Sequence, residues 1–236
     1  MSQQRTAAII GATGVVGRGI ARTLSREGWA VTLIGRDEAK LAAVSSEVGG
    51  QATVVIGSVA DDEAALRTAA ASKASGPFDA IITTINRPLS FSQPALEMSA
   101  ETLVDFFREN VASHFSAAKA FLSLLAPGGR YIGIGGGMAD LTVPGLVGVS
   151  VCQAAQRNLF RFLALEGGEK GISVVELMLY SHIVDPADEA TADARGIRAD
   201  EVGAHVLAVI ERPDDFAGPI LTLKSRKQVG MVERTQ

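Results

Sequence analysis

The stretch IIGATGVVGRGIA (residues 9–21) sets Gly11, Gly14 and Gly17 at three-residue spacing, directly after a short apolar run. The run at residues 7–10 reads as a β-strand, and the chain beyond Gly14 reads as the start of a helix. Glycine permits the tight turn and lets backbone N–H groups approach a phosphate. A helix N-terminus then favours the negative charge. At the first strand-to-helix turn this is the setting that a dinucleotide pyrophosphate requires, the alternative being a glycine-rich turn that only packs. Gly11, Thr13, Gly14, Val15, Val16 and Gly17 are therefore candidate cofactor-binding residues.

Outward from this turn the chain alternates. Short apolar runs at residues 30–34, 52–56, 79–83, 130–134, 173–179 and 219–223 join the first as expected strands. Ala-rich helical stretches fill the gaps, the longest at about residues 100–125 and 146–167. The strands are nearly continuous in apolar residues, which suits a parallel sheet covered on both faces. Right-handed crossovers then give an α/β fold, a Rossmann-like doubly wound sheet of seven parallel strands with helices on both faces. The 236 residues read as one dinucleotide-binding domain. One polar stretch, DPADEATADARGIRAD (residues 185–200), interrupts the pattern as either a lid or a solvated loop.

Bulk composition narrows the classes. Apolar residues make up 47% and charged residues 20%, enough for a sizeable core and against disorder. A formal net charge of −4 leaves no electrostatic footprint for nucleic acid or an anionic membrane. The start, MSQQRTAAII, is too polar for a secretory signal, and no apolar run is long enough to span a bilayer. The expected location is cytoplasmic. Cys152 is the one cysteine, so no intramolecular disulfide can form, and three scattered histidines offer no metal-ligand spacing.

The second strand ends in Gly35-Arg36. An acidic side chain at this point would take the ribose hydroxyls of NAD, whereas a guanidinium pairs with a 2′-phosphate. Arg36 favours NADP(H), with NAD possible because Asp37 follows at once; Asp37 could equally cap the next helix and leave Arg36 as a loop residue. Ser58 and Val59, after the third strand, complete this side of the candidate cofactor site.

From Ala7 to Leu223 the chain resembles the short-chain dehydrogenase/reductase superfamily. The likeness rests on the glycine turn, on LIGRDEAKL, on REN around Asn110, and on GGRYIGIGGG. The resemblance implies an NAD(P)-dependent oxidoreductase and assigns Asn110 to the family's structural and catalytic Asn. Counting along the family pattern puts its Ser at Gly136, its Tyr at Val149 and its Lys at Gln153. The family's Tyr hydroxyl protonates the alkoxide formed by hydride delivery, and its Lys lowers the Tyr pKa. Val149 has no exchangeable proton, Gly136 offers only its backbone N–H, and Gln153 can hydrogen-bond a ribose hydroxyl without bringing charge. The ordinary mechanism is thus closed.

Tyr180 and His182 follow the sixth strand, where open α/β sheets bind ligands, and are candidate acids or else a pair packed beneath the polar stretch. Asn110 could be catalytic or a helix residue bonding a backbone carbonyl. Three functions stay open: an NADP(H)-dependent oxidoreductase acting on a small carbonyl or alcohol with an unusual acid; a non-redox isomerase, cyclase or lyase; and an NADP(H) sensor or scaffold. The two long helices match those that pair between subunits in the family, and they carry Phe106, Phe107, Phe115, Phe121, Phe160 and Phe162. A homodimer or homotetramer is expected.

Overall fold

Predominantly hydrophobic runs form the strands in the order their spacing suggests. The computed structural model describes residues 4–86, 92–185 and 196–232. In chain order the elements are β1 (Thr6–Ile10), α1 (Val15–Arg26), β2 (Ala30–Gly35), α2 (Glu38–Glu47), β3 (Thr53–Ile56), α3 (Asp62–Ser72) and β4 (Phe78–Thr83). Then come α4 (Ala100–Phe107), α5 (Ser113–Phe121), β5 (Leu125–Gly136), α6 (Val147–Gly168), β6 (Ser173–Leu179), β7 (Ile183–Val184), β8 (Ile197–Arg198), α7 (Ala199–Glu211) and β9 (Ile220–Leu223).

Seven strands make one parallel sheet in the order β3-β2-β1-β4-β5-β6-β9. The order reverses between β1 and β4, where Ile10 pairs with Thr83. That reversal opens a crevice at the carboxyl ends of the two strands, the usual ligand position in such sheets. One sheet face is buried under Ile20, Ala21 and Leu24 of α1, Leu41 and Val44 of α2, and Val202, Val206 and Val209 of α7. The other is buried under Ala65 and Ala69 of α3, Ala117, Ala118 and Phe121 of α5, and Phe160 of α6. Burial on both faces explains why the strands read as apolar throughout.

Three features differ from the sequence expectation. The helix expected over residues 100–125 is broken: α4 passes through a π-turn at Arg108–Ala112 into α5, which ends at Phe121. The strand expected at residues 130–134 extends both ways, to Leu125 and Gly136. The polar stretch 185–200 lies mostly outside the described residues; its flanks form the short parallel pair β7–β8, and its end starts α7. No helix among the described residues is long and apolar enough to cross a membrane.

Candidate cofactor cleft and active site

The glycine turn is built by packing as much as by ligand access. Gly11 has φ +85°, and a β-carbon there would lie 2.7 Å from both the carbonyl oxygen and the hydroxyl of Thr84. A β-carbon on Gly17 would collide with the Gly11 carbonyl oxygen. Gly14 differs: a β-carbon there would meet only the Gly11 oxygen, at 3.5 Å, so its outer side is open. Thr84 fastens the turn, donating its hydroxyl to Ile10 O at 3.1 Å and Gly11 O at 2.9 Å. Gly14 caps α1 without a side-chain bond, and the first turn holds no acidic residue. The first-turn amides therefore present donors and the positive end of the helix dipole to an anion.

Two clefts meet along the carboxyl edge of the sheet. The first, of about 390 Å³, is lined by Gly11, Thr13, Gly14, Arg36, Ser58 and Val59 among others. The second, of about 410 Å³, lies over β5 and β6 and includes Val16, Gly136, Gln153, Gln156, Tyr180 and His182. Thr84, Ile85 and Asn86, at the end of β4, line both. Val15 stands half exposed on the first helical turn, and Gly17 is buried behind the turn. The pair runs continuously from Arg36 past the open face of Gly14 to Tyr180 and His182.

Arg36 is exposed at the rim of the first cleft. Asp37 is turned away from it: its carboxylate caps α2 by accepting from Lys40 N at 3.0 Å, which with the Lys40 side chain holds it below the usual carboxylate range. Among the described residues no carboxylate pairs with Arg36.

The second cleft holds three side-chain amides, of Asn86, Gln153 and Gln156, and the Tyr180 ring. A β-carbon at Gly136 would lie 2.6 Å from Gln153 Nε2, so the Gln153 amide occupies the volume a residue-136 side chain would take. The Tyr180 ring fills the same kind of space at Gly137. Tyr180 donates its hydroxyl to Asp140, which also binds Arg157 at 2.6 Å. Desolvation and Asp140 push the Tyr180 phenol up to about 12, a poor acid at neutral pH. His182 is exposed at the mouth.

Asn110 is absent from both linings, although its neighbours Glu109 and Ser113 line the first cleft. It is buried in the π-turn and donates to Phe106 O at 2.8 Å. Val149 is also missing from the second lining; it is buried with Phe106 and Cys152 in an apolar cluster against which Met138 of the cleft wall packs.

Sequence reasoning missed Thr84, Ile85 and Asn86. They are distant in sequence from the glycine turn, and only the pairing of β4 with β1 brings them to it. The end of the strand at the order reversal was the available signal.

Comparison with known proteins agrees with this architecture. The sequence model of the family described as enoyl-(acyl carrier protein) reductase matches residues 11–232. The chain is 27% identical over 174 residues to gluconate 5-dehydrogenase of Gluconobacter oxydans, covering 71% of this chain and 67% of that one. It is 27% identical over 228 residues to a cyclic-di-GMP-binding biofilm dispersal mediator protein of Escherichia coli, covering 93% and 89%. A dehydrogenase/reductase of Sinorhizobium meliloti superposes with a TM-score of 0.81 at 25% identity, covering 94% of each chain. With its glycine turn, its seven parallel strands and a family match over nearly its whole length, the chain belongs to the short-chain dehydrogenase/reductase family.

Proposed function

We propose that the protein is a cytoplasmic NADP(H)-dependent oxidoreductase acting on a small, uncharged carbonyl or alcohol compound. The observation that carries this is the pair of clefts joined at Thr84–Asn86, with Arg36, which pairs with no carboxylate among the described residues, in the lining of the first. Gly14 and the amides of Val15 and Val16 would hold the pyrophosphate, Arg36 the 2′-phosphate, and Gln153 a ribose hydroxyl; Ser58 and Val59 border the nucleoside end. The bound cofactor supplies or accepts hydride. Among the described residues the second cleft is lined by Val16, Ile134, Met138, Leu141 and Leu179 together with amides, and by no Asp, Glu, Lys or Arg. A charged substrate would lose its hydration there without a partner, so the lining favours an apolar-bodied carbonyl.

Calorimetric titration tests the cofactor. NADPH is expected to bind more tightly than NADH, and Arg36→Ala to weaken NADPH by about ten- to a hundredfold, the worth of hydrogen bonds to a charged group. NADH should be nearly unaffected. Equal affinities would remove the role of Arg36; binding of neither would end the reading.

A second reading, a sensor that binds the nucleotide without turnover, draws on the apolar cluster that buries Val149. It predicts nucleotide binding with no oxidation of NADPH by any ketone, quinone or enone.

A further inference from the structure

Reduction of a carbonyl needs a proton as well as a hydride, and the lining of the second cleft offers few groups that can supply one. Among the described residues it holds no Asp, Glu, Lys or Arg. The amides of Asn86, Gln153 and Gln156 form hydrogen bonds without giving up a proton. Three hydroxyls and one imidazole remain, on Thr84, Tyr180, Ser181 and His182. Thr84 donates its hydroxyl to Ile10 O and Gly11 O. Tyr180 donates to Asp140, whose carboxylate also takes Arg157. The negative charge of Asp140 disfavours the phenolate, so the bond that fixes the ring also withholds its proton. The Ser181 hydroxyl is an aliphatic alcohol, no stronger an acid than the alcohol product it would have to make. Val149, at the family's Tyr position, is buried outside this lining.

His182 is the group left. Imidazole is the side chain that ordinarily exchanges a proton between about pH 5 and 8. The backbone fixes where it stands. Tyr180 N donates to Leu223 O on β9 at 3.0 Å, and Ile197 N donates to His182 O at 3.0 Å. Directly beyond, Ile183 and Val184 pair with Ile197 and Arg198 of β8, and Val184 and Ile197 are buried. The residue thus stands on a short turn held at both ends, just past the carboxyl end of β6, and is exposed at the cleft mouth. Exposure suits the role. A donor is used once per turnover and must be recharged, and at the mouth an imidazole exchanges protons directly with solvent.

We propose that His182 is the proton donor of the second cleft. The inference rests on the oxidoreductase reading. When hydride reaches the carbonyl carbon, the C=O π bond opens to an alkoxide. One N–H bond of the His182 imidazolium breaks, the alkoxide O–H bond forms, and the neutral imidazole left behind takes a proton from solvent. In the alcohol-oxidising direction the neutral ring accepts the hydroxyl proton as the carbon gives up its hydride.

Two variants separate this from its premise. His182→Ala removes the ring, and His182→Gln keeps a hydrogen-bonding side chain that cannot transfer a proton. Fluorescence titration should show NADPH bound equally by wild type and both variants. Oxidation of NADPH by menadione and cyclohexanone should be about a hundredfold slower in each variant. Added imidazole should speed His182→Ala by about tenfold, because it can enter the vacated space as an external acid, and should leave His182→Gln unchanged. Sodium chloride at the same ionic strength should speed neither. A merely structural histidine would lose rate without regaining it from imidazole. Variant rates equal to wild type, or a loss in His182→Ala that imidazole does not relieve, would overturn the proposal. Loss of turnover in Tyr180→Phe with His182→Ala at full rate would overturn it in favour of Tyr180. NADPH binding by wild type without turnover of either probe would also overturn it. Failure of wild type to bind NADPH strikes the oxidoreductase reading itself and takes the proposal with it.

Discussion

Stability should peak near pH 6.5 and fall on both sides, because three buried groups titrate in opposite senses. His114 is wholly buried; its Nε2 donates to Ile85 O at 3.0 Å and its Nδ1 lies 3.2 Å from the Thr83 hydroxyl. His205, also buried, accepts from Gly230 N at 3.0 Å. Burial pushes both imidazoles down to about 4. Glu176 moves up, from 4.5 to about 8. Between about pH 4.5 and 6.5 the unfolded chain binds two protons on the histidines that the folded chain lacks, and the folded chain holds one on Glu176 that the unfolded chain lacks. The net of one proton makes stability rise with pH by about 1.4 kcal/mol per unit. From pH 6.5 to 8 the histidines are neutral in both states and Glu176 alone counts, so stability falls by about the same slope, or about 2 kcal/mol in all. Asp37, Asp62 and Asp140 are shifted downward and matter only at more acid pH. Urea denaturation at 25 °C and constant ionic strength, at half-unit steps from pH 5 to 8.5, measures the curve. Glu176→Gln should abolish the alkaline limb and steepen the acid one toward two protons. A flat curve, or an alkaline limb that survives in Glu176→Gln, would refute the reasoning.

Two further outcomes follow from the geometry. Val149→Tyr alone should lower stability by about 1–3 kcal/mol, because the ring must enter the packed Phe106–Cys152 cluster, and should give no reductase activity; Gly136→Ser, Val149→Tyr and Gln153→Lys together should raise carbonyl reduction well beyond the sum of the single changes, as rate assays on all combinations would show. A homodimer or homotetramer is expected from the exposed Val104, Phe115, Val151, Phe162 and Leu165 on α4, α5 and α6, and a monomer by light scattering at micromolar concentration would contradict it.

Much of the fold was legible because burial on both faces removes polar residues from the strands. β6 was placed to the residue, at Ser173–Leu179. Where the pattern failed, a local competitor was at work. The sequence LAPGG before Arg130 reads as a turn, yet Leu125 pairs with Phe78 and starts β5. The π-turn at Arg108–Ala112 left no trace in the apolar spacing, since α4 and α5 continue along one course. Of the assumed aromatic interface, Phe106, Phe121 and Phe160 are buried in their own protomer, while Phe115 and Phe162 remain exposed. The helical period alone does not distinguish the two outcomes, because a helix between a sheet and a neighbour is apolar on both sides. In the site, the glycine turn was readable because its constraints are local. Thr84, Ile85 and Asn86 were not, because only the pairing of β4 with β1 carries them to the turn.

The glycines at the end of β5 explain why this site resists piecemeal change. A β-carbon at Gly133 would meet the Phe160 ring; at Gly135, the Glu176 carboxyl; at Gly136, the Gln153 amide; at Gly137, the Tyr180 ring. Each missing side chain is thus matched by one arriving from α6, from β6 or from Tyr180 just beyond it. A serine restored at 136 meets Gln153 before it meets a substrate, and a residue larger than glycine at 135 displaces the buried Glu176 carboxyl. The space beside Gly136 is filled by the Gln153 amide, whose Oε1 is buried without a hydrogen-bond partner among the described residues. Buried polar atoms are rarely left so without a ligand, a water or a proton to satisfy them. Restoring the family's side chains on this backbone therefore requires several neighbours to change together, which no single substitution supplies.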